Sequence, residues 1–410
     1  MSASLTIDNR AGVSSYRWYI LVLSALTNTI AVAVPSMALP VLFAEISSDL
    51  HLKLVQVGLI WGISALPMIF TALAGGMVGD RFGPRRVLLV SCLLTGLVGA
   101  LRGLAVDFPT LLATMLLFGL FTPMITINNV KVCGMWFSSQ QLGLANGVLS
   151  VGMALGFLLG SLVSATLLSP ALGGWRNVLI LYGGLSLLFC FSWVFFRLPS
   201  GAGGGGGPPG SLRPSLAAVA RIRNLWLLGL TIFGVSGCVQ GALGYLPLYL
   251  RGMGWPVASA DGALASFHTI SLVFAIPIAL GSDRLGTRRK VLLAAATLMT
   301  FGIASLSVAQ SGWVWPAVLM AGMVRDGFMG VFMTAVMETE GVGTAFSGTA
   351  VGFTMIFAGI GNLVAPALGN SLAAFGAGMP FVFWAALLGL GLLGLLASRD
   401  RSMAVALPVS

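Results

Sequence analysis

Gly76-Met77-Val78-Gly79-Asp80-Arg81-Phe82-Gly83-Pro84-Arg85-Arg86 is a basic turn set between two long apolar runs. Its second part returns 203 positions later as Ser282-Asp283-Arg284-Leu285-Gly286-Thr287-Arg288-Arg289. The same offset places Gly119 on Gly322 and Gly156 on Gly359, inside other apolar runs. One spacing that holds at several places along a chain is the mark of internal duplication.

Outward from this turn, runs of about twenty apolar residues fall at 18–43, 54–78, 87–106, 109–134, 142–168 and 177–197. Six more follow at 224–250, 259–281, 290–309, 313–336, 345–368 and 379–397. Hydrophobic residues make up 57% of the 410 and charged residues 8%, against roughly 25% charged in soluble chains. Lipid offers the backbone no hydrogen-bond partner, so runs of this length must be helices. The alternating segments of about ten residues that build a β-barrel do not occur. The fold class is an all-α polytopic membrane protein with twelve transmembrane helices in two pseudo-symmetric six-helix bundles. Between the sixth and seventh runs, residues 199–211 are almost wholly glycine, proline and serine, and such a stretch has nothing to bury. The expected organisation is a tail over 1–16, a bundle over 17–198, a linker over 199–220, a second bundle over 221–398 and a tail over 399–410.

A net charge of +10 would suggest a nucleic-acid partner in a soluble domain. Here Arg81, Arg85, Arg86, Arg284, Arg288, Arg289 and Lys290 lie in one set of short loops, together with the basic residues flanking the linker and both ends. The opposite set holds Lys53, Arg102, Arg176 and Arg251. Basic loops face the cytoplasm, so both termini are expected there, in an inner membrane, with lipid and no nucleic acid as the partner of this charge. Cys92, Cys133, Cys190 and Cys238 all fall inside apolar runs without a CxxC pair, and the chain has two histidines, His51 and His268. Neither a disulfide framework nor a metal site is expected. The long first run, opening at Trp18 without a small-residue cleavage site, reads as a retained anchor rather than a signal peptide.

The turn Gly76-x-x-Gly79-Asp80-Arg81-x-Gly83-x-Arg85-Arg86 resembles the loop signature of the major facilitator superfamily, and the second half carries a shorter copy at Asp283, Arg284, Gly286, Arg288 and Arg289. The resemblance extends over the whole span of apolar runs. It implies two six-helix bundles around a central cavity, and transport by rocking of one bundle against the other. The physical logic of the signature is legible: glycines allow close helix approach and a tight turn, Asp80 suits a helix N-terminus, and the arginines suit helix C-terminal carbonyls or lipid phosphates. Such contacts would latch the halves on the cytoplasmic side when the protein opens outward. The chain departs from the drug–proton antiporters of this family, which place an arginine four residues before the glycine of span four; Met115 stands there before Gly119. Phe157, not proline, follows Gly156. Gly359-Ile360-Gly361-Asn362 resembles the nitrate-porter signature, but spans two and eight lack the arginines that bind nitrate.

A charge at the bilayer centre is costly, so each is a candidate functional group. Arg325 and Asp326 stand about a dozen residues into span ten. At the repeat offset Arg325 falls on Thr122, which shares a stripe of span four with Thr126 and Asn129 at i, i+4 and i+7. That polar stripe and Arg325 are expected to face one cavity from opposite halves. Arginine stays protonated and presents a fork matched to carboxylate, so Arg325 is the candidate substrate contact and Asp326 the candidate proton-coupling group. Either at least one of them has a transport role, or both neutralise groups within the helix bundle and touch no substrate. Asn28 in span one, Gln240 in span seven, His268 in span eight and Asn362 in span eleven are further candidate substrate contacts, each with a helix-packing role as the alternative.

The reading is a secondary transporter that moves a small organic solute, an anion such as a carboxylate, with a proton as coupling ion. The chain shows no ATP-binding motif, cofactor requirement or obligate protein partner. An efflux carrier for lipophilic compounds is the alternative, and a transporter-like receptor the remote one. A membrane enzyme would need a nucleophile–base pair or metal cluster, and the sequence offers neither.

Overall fold

The computed structural model describes residues 4–138, 141–195, 212–309 and 311–398, and among these the regular structure is all helix. Eleven helices are long and apolar enough to cross a membrane: Tyr16–Asp49, Leu54–Thr71, Pro84–Arg102, Phe108–Trp136, Leu142–Leu172, Trp175–Val194, Arg223–Gly252, Val257–Leu285, Val314–Met337, Phe346–Phe375 and Met379–Ala397. The twelfth span is Arg288–Ser305, whose three leading cations, Arg288, Arg289 and Lys290, lower its hydropathy.

Local sequence explains where these helices deviate. The first span widens into a π-helical turn at Asn28–Ala33 immediately before Pro35, which has no N–H to give the preceding turn. The fifth span does the same at Ser164–Leu168, just before Pro170. Span four starts on a reciprocal cap, with the Asp107 carboxylate accepting from the Thr110 N–H at 3.0 Å and the Thr110 hydroxyl accepting from the Asp107 N–H at 3.2 Å. Two spans are interrupted. Span two breaks at Ser64 between Leu54–Ile63 and Ala65–Phe82, and span ten at Val324 between Val314–Met323 and Arg325–Met337.

The duplication is visible in the packing. A Cβ on Gly119 would fall 2.6 Å from the Ser64 Cα, and one on Gly322 would fall 2.6 Å from the Phe267 carbonyl oxygen. Ser64 and Phe267 are themselves 203 positions apart, so the same close approach recurs in each half. The turns at Gly83 (φ 83°) and Gly286 (φ 63°) also correspond, both in the region glycine adopts freely.

Residues 1–3, 199–211 and 399–410 lie outside the described residues. The remainder of the expected first tail is helical, since Ser4–Thr27 is one helix. The end of the expected linker also departs from a flexible strand: Leu212–Ala220 forms a helix lying against span eleven.

The end of the molecule carrying the Gly83 and Gly286 turns is called the motif end here, and the opposite one the far end. Cross-half contacts run from the middle of the spans to the far end. Gly58 of span two sits against Pro366 and Ala367 of span eleven, and Gly62 against Asn362 and Leu363. Asn370 Nδ2 donates to the Leu54 carbonyl at 2.9 Å, Trp61 Nε1 to the Gln240 carbonyl at 2.7 Å, and the Thr166 hydroxyl to Asp261 at 2.9 Å.

Candidate functional site

Span ten supplies the central feature. Its interruption makes Arg325 the first residue of a new helix, and Asp326 lies in that helix's first turn, where a negative charge meets the positive end of the dipole. Arg325 donates to Asp326 Oδ1 at 2.5 Å, and the Asp326 backbone N–H, left free by the break, donates to the Ser271 hydroxyl of span eight at 3.1 Å. One turn before Ser271, His268 is buried. Its ring packs 5.2 Å from Phe157 of the other half and 5.6 Å from Phe267, and its Nε2 has no hydrogen-bond partner. The Arg325 and Asp326 side chains are 27% and 29% exposed. A mid-span guanidinium that its neighbours leave partly uncovered is thus paired to a single carboxylate.

The other predicted residues distribute unevenly. Asn129 donates to Asn28 Oδ1 at 2.7 Å and to the Ser24 carbonyl at 3.3 Å. Both asparagines are buried, so in this state they tie span four to span one and neither is exposed. The Thr122 hydroxyl donates back to the Phe118 carbonyl at 2.9 Å; Thr122 and Thr126 are half-buried. Trp61 takes the backbone carbonyl of Gln240, and Asn362 stands at the seam beside Gly62.

At the motif end the contacts described stay within each half. Arg85 donates to the Val194 carbonyl at the end of span six, and Arg289 to the Leu395 (3.1 Å) and Leu396 carbonyls at the end of span twelve. The structural counterparts are thus Arg85 and Arg289, one place off the sequence offset, while Arg288 pairs with Asp283 and Glu338. Arg81 lies over its neighbour Phe82; Arg86 and Arg284 stay on the same basic surface. Gly79 gives room to span four, where a Cβ would come 3.3 Å from Lys131 Nζ. The surroundings of Gly76 and the side chain of Asp80 lie outside the described residues.

Two buried charges escaped the sequence reading. Arg102, assigned above to a loop, is fully buried at the end of span three. Its guanidinium lies 3.9 Å from the Phe118 ring centre and donates to the Pro35 carbonyl at 3.4 Å. The correction has a simple cause: the span ends on it, but spans one and four cover it. Asp261 in the first turns of span eight is also fully buried and is paired with Arg251 at 2.6 Å.

A family model for the Major Facilitator Superfamily matches residues 21–347. The chain belongs to the major facilitator superfamily. It is a multi-pass membrane transporter of that family, as the paired bundles and seam already suggest. It is 26% identical over 362 residues to the 3-(3-hydroxy-phenyl)propionate transporter of Escherichia coli (strain K12), covering 85% of this chain and 86% of that protein. It is 25% identical over 380 residues to the probable sulfoacetate transporter SauU of Cupriavidus necator, covering 85% and 86%. The multidrug resistance protein MdtG of Enterobacter lignolyticus is 27% identical over 333 residues, covering 77% and 76%. Among solved structures, a bacterial homolog to the human lysosomal transporter Spinster, in an inward-facing and occupied conformation, superposes with a TM-score of 0.78 at 14% identity over 95% of this chain and 97% of that one. At that identity the likeness concerns the fold.

Proposed function

We propose that this facilitator carries a small organic anion, of the aromatic carboxylate or short sulfonate kind, with Arg325 as the group that binds the anionic head. The observation that carries the reading is the partly exposed guanidinium at the break of span ten. A planar fork beside a helix N-terminus suits a carboxylate or sulfonate, and two relatives are named for solutes of this chemistry. Basic residues gather at the motif end, so that end is the cytoplasmic one. With the far end joined, this state faces the cytoplasm of an inner membrane. Asp326 supplies the coupling: an incoming carboxylate competes with it for Arg325, and the displaced Asp326 takes up a proton. Half-buried Met323, Met329 and Phe357 and the multidrug relative favour a second reading, efflux of lipophilic compounds.

A thermal-shift series separates the two. A ligand bound only by the native state raises its stability, by about 2.7 kcal/mol at a hundredfold excess over Kd. 3-Hydroxyphenylpropionate or sulfoacetate is expected to stabilise the wild type and not Arg325→Ala. Stabilisation of both proteins by lipophilic drugs, with no response to anions, would make Arg325 a structural residue and favour efflux.

A further inference from the structure

Far from the Arg325 pair, a second polar assembly closes the far end. Asp261 is completely buried and uses both carboxylate oxygens: Oδ1 takes Arg251 of span seven at 2.6 Å, and Oδ2 takes the Thr166 hydroxyl of span five, in the other half, at 2.9 Å. Thr166 belongs to the π-helical turn Ser164–Leu168. One turn on, Ser169 gives its hydroxyl to Glu45 of span one at 2.5 Å. One face of span five is therefore held between an acid of each half. Glu45 lines a surface cleft with Asp49, Trp175 and Arg176. Water outside the far end thus reaches Glu45, whose partner Ser169 stands one turn of span five from the Thr166–Asp261 bond. The charged groups facing Asp261 are Arg251 and Glu45; two turns further along its own helix stands His268, with Arg325 and Asp326 beyond it.

We propose that Asp261 is a proton-binding gate. Ionised, with Arg251 as its counter-ion, it holds the far end shut through Thr166 of the other half. Protonated from the outer side by way of Glu45, it no longer balances Arg251. That guanidinium is only 13% exposed and its Nε is already unpartnered. A buried charge stripped of its counter-ion is strongly unfavourable, and parting the halves relieves this by admitting water. The gate stands apart from the anion site, because it is read without any solute.

Spin labels at A171C and A258C, exposed positions on spans five and eight at the far end, report the gap directly. The native cysteines are all buried and stay unlabelled. In the full chain in lipid nanodiscs, the long-distance population is expected to grow about tenfold between about pH 8 and about pH 5. D261N is expected to show the long population at both, whereas D107N, which neutralises an exposed acid at the same end, keeps the wild-type response. A wild type that ignores pH, or a D261N protein that still responds, overturns the gate. Should D261N not fold, T166V answers the same question: it keeps the carboxylate, and it must raise the long population at about pH 8. An unchanged T166V overturns the gate as well.

Discussion

The two ends of this molecule use similar residues differently. At the far end side chains and bare backbone cross the seam: Trp61 to Gln240, Asn370 to Leu54, Thr166 to Asp261, and Gly58 against Pro366. At the motif end the arginines turn inward upon their own bundles, capping the last carbonyls of spans six and twelve. Closure and opening are thus written in where hydrogen bonds go, not in how many there are. A protein that exchanges these two patterns alternates its access.

The comparison breaks most sharply at Gly58. A Cβ there would meet the Pro366 carbonyl oxygen at 2.6 Å and the Ala367 Cα at 2.7 Å. Overpacking of this kind costs about 1–3 kcal/mol, or about 5- to 150-fold in the ratio of closed to open. Gly58→Val is expected to part the far end by that factor, read as the distance between labels on the two halves. Arg325→Ala probes the space between the ends: losing a charged hydrogen bond is expected to weaken binding of the anion about 10- to 100-fold in a titration. Trp61→Phe removes one cross-half bond, worth about 0.5–1.5 kcal/mol, and is expected to raise the far-end open population about 2- to 10-fold. The smallest effect belongs to the motif end. Arg85→Ala or Arg289→Ala removes a helix-terminus contact worth about 0.3–1 kcal/mol; thermal stability should fall slightly with the far-end distance unchanged.

Most of the fold was legible because lipid leaves the chain few choices. Length and apolarity gave the spans, and the offset of 203 between the two turns gave the halves, down to matched glycines on Ser64 and Phe267. The site was legible in part. Arg325 and Asp326 stand out because a charge in mid-span is rare. What they meet was hidden: the break at Val324 has no proline to announce it, and Ser271 and His268 come from another helix. Asp261 sits close to the start of its span and reads as a boundary residue; its partner Thr166 is 95 positions away. Arg102 reads as a loop cation until spans one and four are folded over it. The stripe of span four divides for the same reason, since Asn129 meets Asn28, 101 positions away, rather than open space. Periodicity reports which residues share a face and not which face is covered.

The most direct test of transport through Arg325 is uptake of labelled 3-hydroxyphenylpropionate into liposomes containing the purified protein, with an inward proton gradient. Accumulation above that in empty liposomes, lost in Arg325→Ala and reduced to simple equilibration in Asp326→Asn, is the expected result. Equal uptake by wild type and Arg325→Ala would contradict it, placing the anion elsewhere in the cavity and leaving the span-ten pair as a structural bond.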